Sequence, residues 1–262
     1  MFDFDFTEDS LKGRNIILAG GSGGLGSAVA VLLAGEGANL VIGYRSNSER
    51  AEQLKQHLED NFNSRIELVA GDLPDEKTRA SFLEASRRLG SAPQGCVCLA
   101  GNPARVKFEE VSDSDMVKSM EENYIGPVLL ARDVSSAMRE EGISGSIVLF
   151  STMQAVAAFD GSINYAGPKT ALIQAVKIMA RQWGGKANIR VNAIAPGVNA
   201  AGMALQSISS GKYDFFLEKG IIPRFGKAED IARTVRFLLE PDNYITGQVI
   251  TVDGGLTLRR DK

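Results

Sequence analysis

An apolar run that breaks into glycines and then resumes with helical spacing constrains this chain more than any other stretch. It reads Asn15-Ile16-Ile17-Leu18-Ala19-Gly20-Gly21-Ser22-Gly23-Gly24-Leu25-Gly26, followed after Ser27 by Ala28-Val29-Ala30-Val31-Leu32-Leu33-Ala34. Residues 16–18 are short, apolar and twice β-branched, which predicts a strand covered on both faces. Residues 20–26 include five glycines, so the backbone there can take positive φ and approach a ligand closely. The continuation carries good helix formers and an apolar side. The unit is strand, tight turn, helix, and the helix N-terminus sets free N–H groups over the glycines, where an anion such as a pyrophosphate is stabilised. Gly21, Gly23 and Gly26 fit G-x-G-x-x-G, whereas Gly20, Gly24 and Gly26 fit G-x-x-x-G-x-G. Spacing does not choose between them, and a turn built only for packing is the plain alternative.

Composition removes several classes. With 262 residues, 44% of them hydrophobic, and no Pro/Gly/Ser-rich linker or block of charge, one domain with a full core is expected. A net charge of −3 with scattered basic residues argues against a nucleic-acid surface. No apolar stretch approaches the roughly 20 residues of a membrane span, and the start Met1-Phe2-Asp3-Phe4-Asp5 lacks a signal peptide's basic opening. The expectation is a soluble, cytoplasmic protein with neither nucleic-acid nor membrane partner. Cys96 and Cys98 share one side of an apolar run and are too few for a metal site, so they read as buried and reduced. His57 is the only histidine and sits in a polar helical stretch, against most histidine triads and His-rich metal centres. No metal is expected, and catalysis must use other acids and bases.

Along the chain, Phe2, Phe4 and Phe6 at period two fit an N-terminal arm over residues 1–10, and equally a frayed terminus. A second buried strand, Asn39-Leu40-Val41-Ile42-Gly43-Tyr44-Arg45, ends without the carboxylate that would accept hydrogen bonds from an NAD ribose; Arg45 stands there instead, with Ser46 and Asn47. A guanidinium matches a 2′-phosphate, which favours NADP(H) over NAD(H); an ordinary solvated loop arginine is the alternative. A charged helix over residues 48–61 leads to a third strand over 66–70 and then Gly71-Asp72-Leu73. Asp72 can meet an adenine amine or cap the next helix. A helix over 75–89 and a fourth strand, Gly95-Cys96-Val97-Cys98, running into Leu99-Ala100-Gly101 complete an alternation that predicts a parallel sheet, with ligands beyond the strands' C-terminal ends.

Residues 108–141 hold a long helical pattern interrupted by Asn123 and, shortly after, Gly126-Pro127, which predicts a kink. The fifth strand, Ile147-Val148-Leu149-Phe150, delivers Ser151 and Thr152 to the ligand edge. Tyr165 and Lys169 follow on a helix running to about Trp183; four residues advance a helix by about 400°, so they share a face one turn apart. An ammonium this close is expected to lower the tyrosine pKa from its usual value of about 10, which would make Tyr165 a usable general acid.

Together these residues resemble the short-chain dehydrogenase/reductases over nearly the whole chain. The resemblance lies in Gly20-x-x-x-Gly24-x-Gly26, Asp72, Asn123, Thr152, Tyr165-x-x-x-Lys169, Arg190-Val191-Asn192-Ala193-Ile194-Ala195-Pro196-Gly197, Gly247-Gln248 and Val252-Asp253-Gly254-Gly255. Residues 222–232 look most like the branch containing the 3-oxoacyl-carrier-protein reductases, which generally use NADPH. The resemblance implies a single-domain α/β Rossmann-type doubly wound sheet of about seven parallel strands with helices on both faces, and a homotetramer or homodimer. It implies hydride transfer between nicotinamide and a carbonyl or secondary alcohol, with Tyr165 as proton donor. Lys169 would hold the nicotinamide ribose, Thr152 the carbonyl oxygen and Asn123 a proton-relaying water. The cofactor would lie on Gly20, Ser22, Gly23, Gly24, Leu25 and Gly26, on Arg45 and Ser46, on Asp72 and Leu73, and on Ala100 and Gly101. At its far end it would meet Tyr165, Lys169, Pro196, Gly197 and Val198, with Ile194 or Val198 near the carboxamide.

Departures from the family pattern are Thr152 for the usual serine, with Ser151 as an alternative hydroxyl, Cys98-Leu99 for Asn-Asn, Ala19 for threonine, and Ala201 for the threonine near the carboxamide, where Asn199 is a replacement. They keep open a second class, an NADP(H)-binding sensor or scaffold with little turnover. Residues 153–159 and a lid over about 199–221, carrying Met203, Leu205, Tyr213, Phe215 and Phe216, are expected to select the substrate, for which an acyl chain, a steroid and a sugar-derived carbonyl fit equally.

Overall fold

The computed structural model describes residue 2, residues 10–104 and residues 106–259, the side chain of Met203 excepted. Phe2 is exposed, and Phe4 and Phe6 of the expected arm lie outside the described residues. In chain order the elements are β1 (Asn15–Ala19), α1 (Gly24–Gly35), β2 (Asn39–Tyr44), α2 (Ser48–Asn61), β3 (Ile66–Ala70), α3 (Glu76–Arg88), β4 (Gly95–Cys98), α4 (Asp113–Met120), a π-helical turn (Glu121–Ile125) and α5 (Gly126–Glu140). They continue with β5 (Gly145–Phe150), α6 (Ile163–Trp183), β6 (Ile189–Pro196), α7 (Leu205–Ser209), α8 (Asp214–Glu218), α9 (Ala228–Leu239), β7 (Val249–Val252) and α10 (Leu256–Arg259).

The strands form one parallel seven-stranded sheet in the order β3-β2-β1-β4-β5-β6-β7. Consecutive residues of β1 face opposite sides, and both sides are apolar. Ile17 and Ala19 join Phe82 of α3, Leu130 and Val134 of α5 and Leu172 and Val176 of α6. Ile16 and Leu18 join Val29 and Leu33 of α1, Leu58 of α2 and Ile231 and Val235 of α9. Burial on both faces is the reason β1 reads as a continuous apolar run rather than an alternating one.

From β1 the chain first turns to β2 on one side, and β4 later takes the other side, so the C-terminal ends of β1 and β4 bracket a topological switch point. Gly20, just past β1, and Ala100, just past β4, touch there: a Cβ on Gly20, whose φ is +83°, would lie 2.9 Å from the Ala100 nitrogen. The predicted kink at Asn123 is a π-helical turn, so the long pattern over 108–141 is divided. Its first helix, α4, starts at a Ser112/Asp115 capping box. At the start of α5, Gly126 allows close packing: its Cβ would lie 2.8 Å from that of Leu73.

Candidate active site

At the C-terminal edge of the sheet lies a cleft of about 810 Å³ whose walls come from the loops after β1 to β6. Its first part is the glycine turn. A Cβ on Gly26 would lie 2.4 Å from the Gly20 oxygen and one on Gly24 2.3 Å from the Gly202 nitrogen, whereas one on Gly23 would meet only the Gly20 oxygen, at 3.3 Å. Side chains are therefore excluded at all three positions of the wider motif, Gly20, Gly24 and Gly26, and the middle position of the narrower motif is the roomy one.

Helix α1 also differs from the three helices that follow it. Side chains of Asn47, Asp75 and Ser112 cap α2, α3 and α4, while α1 begins at Gly23 with no side-chain cap and no acidic residue in its first turn. Its N-terminal N–H groups and the positive end of its dipole are left to the cleft, which is the chemistry a pyrophosphate requires. The residues present fit a dinucleotide.

At the open end of the cleft, past β2 and β3, stand Arg45, Asp72 and Leu73. Asp72 does not cap α3; Asp75 does, accepting a 2.9 Å hydrogen bond from the Thr78 nitrogen, so the Asp72 carboxylate faces Arg45 at 3.9 Å. Arg45 also lies 3.6 Å from Glu122, the residue before Asn123. Ser46 is exposed and is not among the residues lining the cleft; it stands between Arg45 and the Asn47 cap of α2. Sequence reasoning missed Glu122 altogether, and it missed Arg50, whose Nε donates a 2.7 Å hydrogen bond to the Ser22 carbonyl in the glycine turn. Arg50 stands a few residues past Arg45, a signal that could have been read.

The other end is built from buried hydrogen bonds. Asn123 is fully buried in the π-helical turn; its Oδ1 accepts from the Asn102 nitrogen at 2.9 Å, and its Nδ2 donates to the Asn102 carbonyl at 2.9 Å and to Ser119 Oγ at 3.1 Å. Lys169 is 2% exposed and its Nζ donates to the Phe150 carbonyl at 2.7 Å. Gly101 fits between these two, since its Cβ would lie 2.8 Å from Asn123 Oδ1 and 3.1 Å from Lys169 Nζ. Asn123 itself lies behind the lining rather than in it.

Ser151 and Thr152 are separated by their partners. Ser151 Oγ donates to the Lys169 carbonyl at 3.0 Å, tying β5 to α6, while Thr152 Oγ1 only accepts a long 3.4 Å contact from the Gln154 nitrogen. Tyr165 lines the same cleft as Thr152, with Lys169 Nζ 5.9 Å from its ring centre. The expected lowering of the Tyr165 pKa is not what the structure shows: burial pushes the phenol up to about 12. Burial likewise pushes the Lys169 ammonium down to about 8, with the nearby Cys98 opposing that shift. Lys169 Nζ is held on the Phe150 carbonyl, and for the phenol desolvation is the cause that prevails.

Beyond Tyr165 the cleft is walled by Met153 and Gln154, by Asp160 and Ser162, by Asn199, Ala204 and Tyr213 of the segment over 199–221, and by Pro103, Val106 and Phe108. The wall formed by residues 103, 104 and 106–109 was not expected from the sequence, where Asn102-Pro103 marks only a turn.

Comparison with known proteins agrees with this geometry. A family model described as enoyl-(acyl carrier protein) reductase matches residues 19–257. The chain is 28% identical over 256 residues to a glucose 1-dehydrogenase of Gluconobacter oxydans, covering 97% of this chain and 96% of that protein. It is 29% identical over 251 residues to a 3-oxoacyl-(acyl-carrier-protein) reductase of Rickettsia felis, covering 95% and 98%. A short-chain type dehydrogenase/reductase from Mycobacterium ulcerans superposes with a TM-score of 0.88 at 27% identity, over 95% of this chain and 92% of that one. The chain belongs to the short-chain dehydrogenase/reductase family, and is thus an oxidoreductase acting on an alcohol or carbonyl with a nicotinamide cofactor. Among the described residues no helix is long and apolar enough to cross a membrane.

Proposed function

We propose that the protein is an NADPH-dependent reductase of a small carbonyl compound, with a 3-oxoacyl thioester as the first substrate class. The observation that carries this reading is one cleft lined at one end by the uncapped helix α1 and Arg45, and at the other by Thr152 and Tyr165. The bound cofactor supplies hydride chemistry. Tyr165 donates the proton to the substrate oxygen, and its high pKa keeps that proton on the phenol until the oxygen becomes basic. Thr152, whose hydroxyl has no strong partner within the protein, donates a hydrogen bond to the same oxygen. Lys169 stabilises the phenolate that remains, and Asn123 fixes the backbone at Asn102 beside it. Ser151 positions α6 and takes no part in proton transfer.

Arg45 is the observation in favour of NADPH. The segment over 199–221 acts as a lid, its Tyr213 and Phe216 packed with Met153, Ile221 and Ile222. Exposed Val117, Met120, Ile125, Ile163 and Ile178 on the helices around Asn123 and Tyr165 support assembly as a homotetramer, or a homodimer.

The test follows oxidation of NADPH, with NADH beside it, against an acetoacetyl thioester, simple ketones, quinones, aldehydes and sugar lactones. Thioester turnover with an NADPH preference supports the whole reading, and turnover of another carbonyl keeps the mechanism and replaces the substrate. Tight NADPH binding with no turnover would favour a sensor or scaffold instead.

A further inference from the structure

We infer that Glu122 sets the protein's discrimination between NADPH and NADH by competing with a 2′-phosphate for Arg45. The inference rests on reading the cleft as a dinucleotide site with Arg45 at the adenosine ribose. Neither carboxylate near Arg45 is hydrogen-bonded to it: Glu122 Oε1 lies 3.6 Å from Nη1 and Asp72 Oδ1 3.9 Å from Nε, both beyond hydrogen-bond range. The guanidinium is attracted rather than clamped, and its side chain is 59% exposed, so it is free to turn toward a ligand.

The two carboxylates are not equivalent. Asp72 is 56% exposed and water screens it, whereas the Glu122 side chain is 14% exposed, and its Oε2 is buried without any hydrogen-bond partner. Among the described residues Arg45 is therefore the one counter-charge paired with a carboxylate that water reaches poorly. A phosphate that draws Arg45 away leaves Glu122 uncompensated. Glu122 sits in the π-helical turn that also holds Asn123, with little of its side chain open to water. A dinucleotide without the 2′-phosphate leaves the Arg45–Glu122 pair undisturbed.

The experiment measures equilibrium binding of NADPH and of NADH, by reduced-nicotinamide fluorescence, to the wild type, Glu122→Gln, Arg45→Ala and the double variant. Releasing Arg45 from one partly screened ion pair is worth about fivefold in affinity. Glu122→Gln should tighten NADPH by about that factor and leave NADH within about twofold, and the gain should vanish when Arg45 is also alanine. Weaker NADPH binding in Glu122→Gln, an unchanged NADPH-to-NADH ratio, or a gain that survives Arg45→Ala would each overturn the inference. NADH binding shows that each variant is folded, and Glu122→Met is read by the same criteria if the glutamine variant fails that check. A wild type that binds neither dinucleotide overturns the cofactor reading and this inference together. A wild type that binds both, with Glu122→Gln indifferent, overturns this inference alone.

Discussion

The two ends of the cleft are held in opposite ways. Lys169 and Asn123 are buried and bonded at 2.7–3.1 Å, to Phe150, Asn102 and Ser119. Around Arg45 the charges sit 3.6 Å and 3.9 Å apart, Arg45 and Asp72 are more than half exposed, and one carboxylate oxygen has no partner. A proton-transfer site must hold its groups in one geometry before the substrate arrives, so buried, bonded side chains suit it. Recognition of one phosphate needs a charge that can move, and weak pairing suits that. Substitutions at the first end should therefore change chemistry, and those at the second should change cofactor choice.

The sharpest way to break this contrast is Tyr165→Phe. It removes the proton donor alone, so carbonyl reduction should fall by about a thousandfold or more while NADPH binding stays within about twofold. Loss of binding on the same scale would mean that the two ends are not separable. Asn123→Leu comes next, because it strands the Asn102 N–H and C=O without their partner. It should cost about 1–3 kcal/mol of stability in denaturant unfolding, with activity lost in parallel; an unchanged midpoint would show that water replaces the side chain.

The pH dependence is set by Lys169. In the folded chain the ammonium is lost as pH rises through about 8, against 10.5 for an ordinary lysine. A buried base with a lowered pKa makes the folded state less stable below about 8, and the cost is relieved as pH rises from there toward 10.5. The kcat/KM for reduction should fall about tenfold per pH unit above 8, as the charge that stabilises the phenolate is lost. A profile flat to pH 10 would show that Lys169 keeps its proton when the cleft is filled.

Smaller effects belong to the other end. Arg45→Ala should weaken NADPH by about tenfold and NADH by less than about twofold in binding titrations, and equal losses would remove Arg45 from phosphate recognition. Ser46→Ala should leave both affinities within about twofold, since Ser46 is exposed and does not line the cleft. A selective NADPH loss there would mean that the loop folds inward on binding.

What the sequence could carry by itself is local. Alternation of apolar runs with helical patterns is set by which residues face a core, so α2 and β3 begin and end where the pattern predicts, and α6 ends at Trp183 as expected. Tyr165 and Lys169 were legible for the same reason, because helical geometry alone puts them on one face. The strand order, however, depends on which runs pair. The choice of Thr152 over Ser151 as the free hydroxyl depends on the Lys169 carbonyl that α6 brings to β5.

The direction of the Tyr165 shift and the Arg45–Glu122 pair were equally out of reach. Both depend on how much water remains around a group and on residues brought from distant elements, and neither is written in local spacing. Neighbours along the chain determined the elements; only neighbours in space decided which hydroxyl lacks a strong partner and which carboxylates stand beside Arg45.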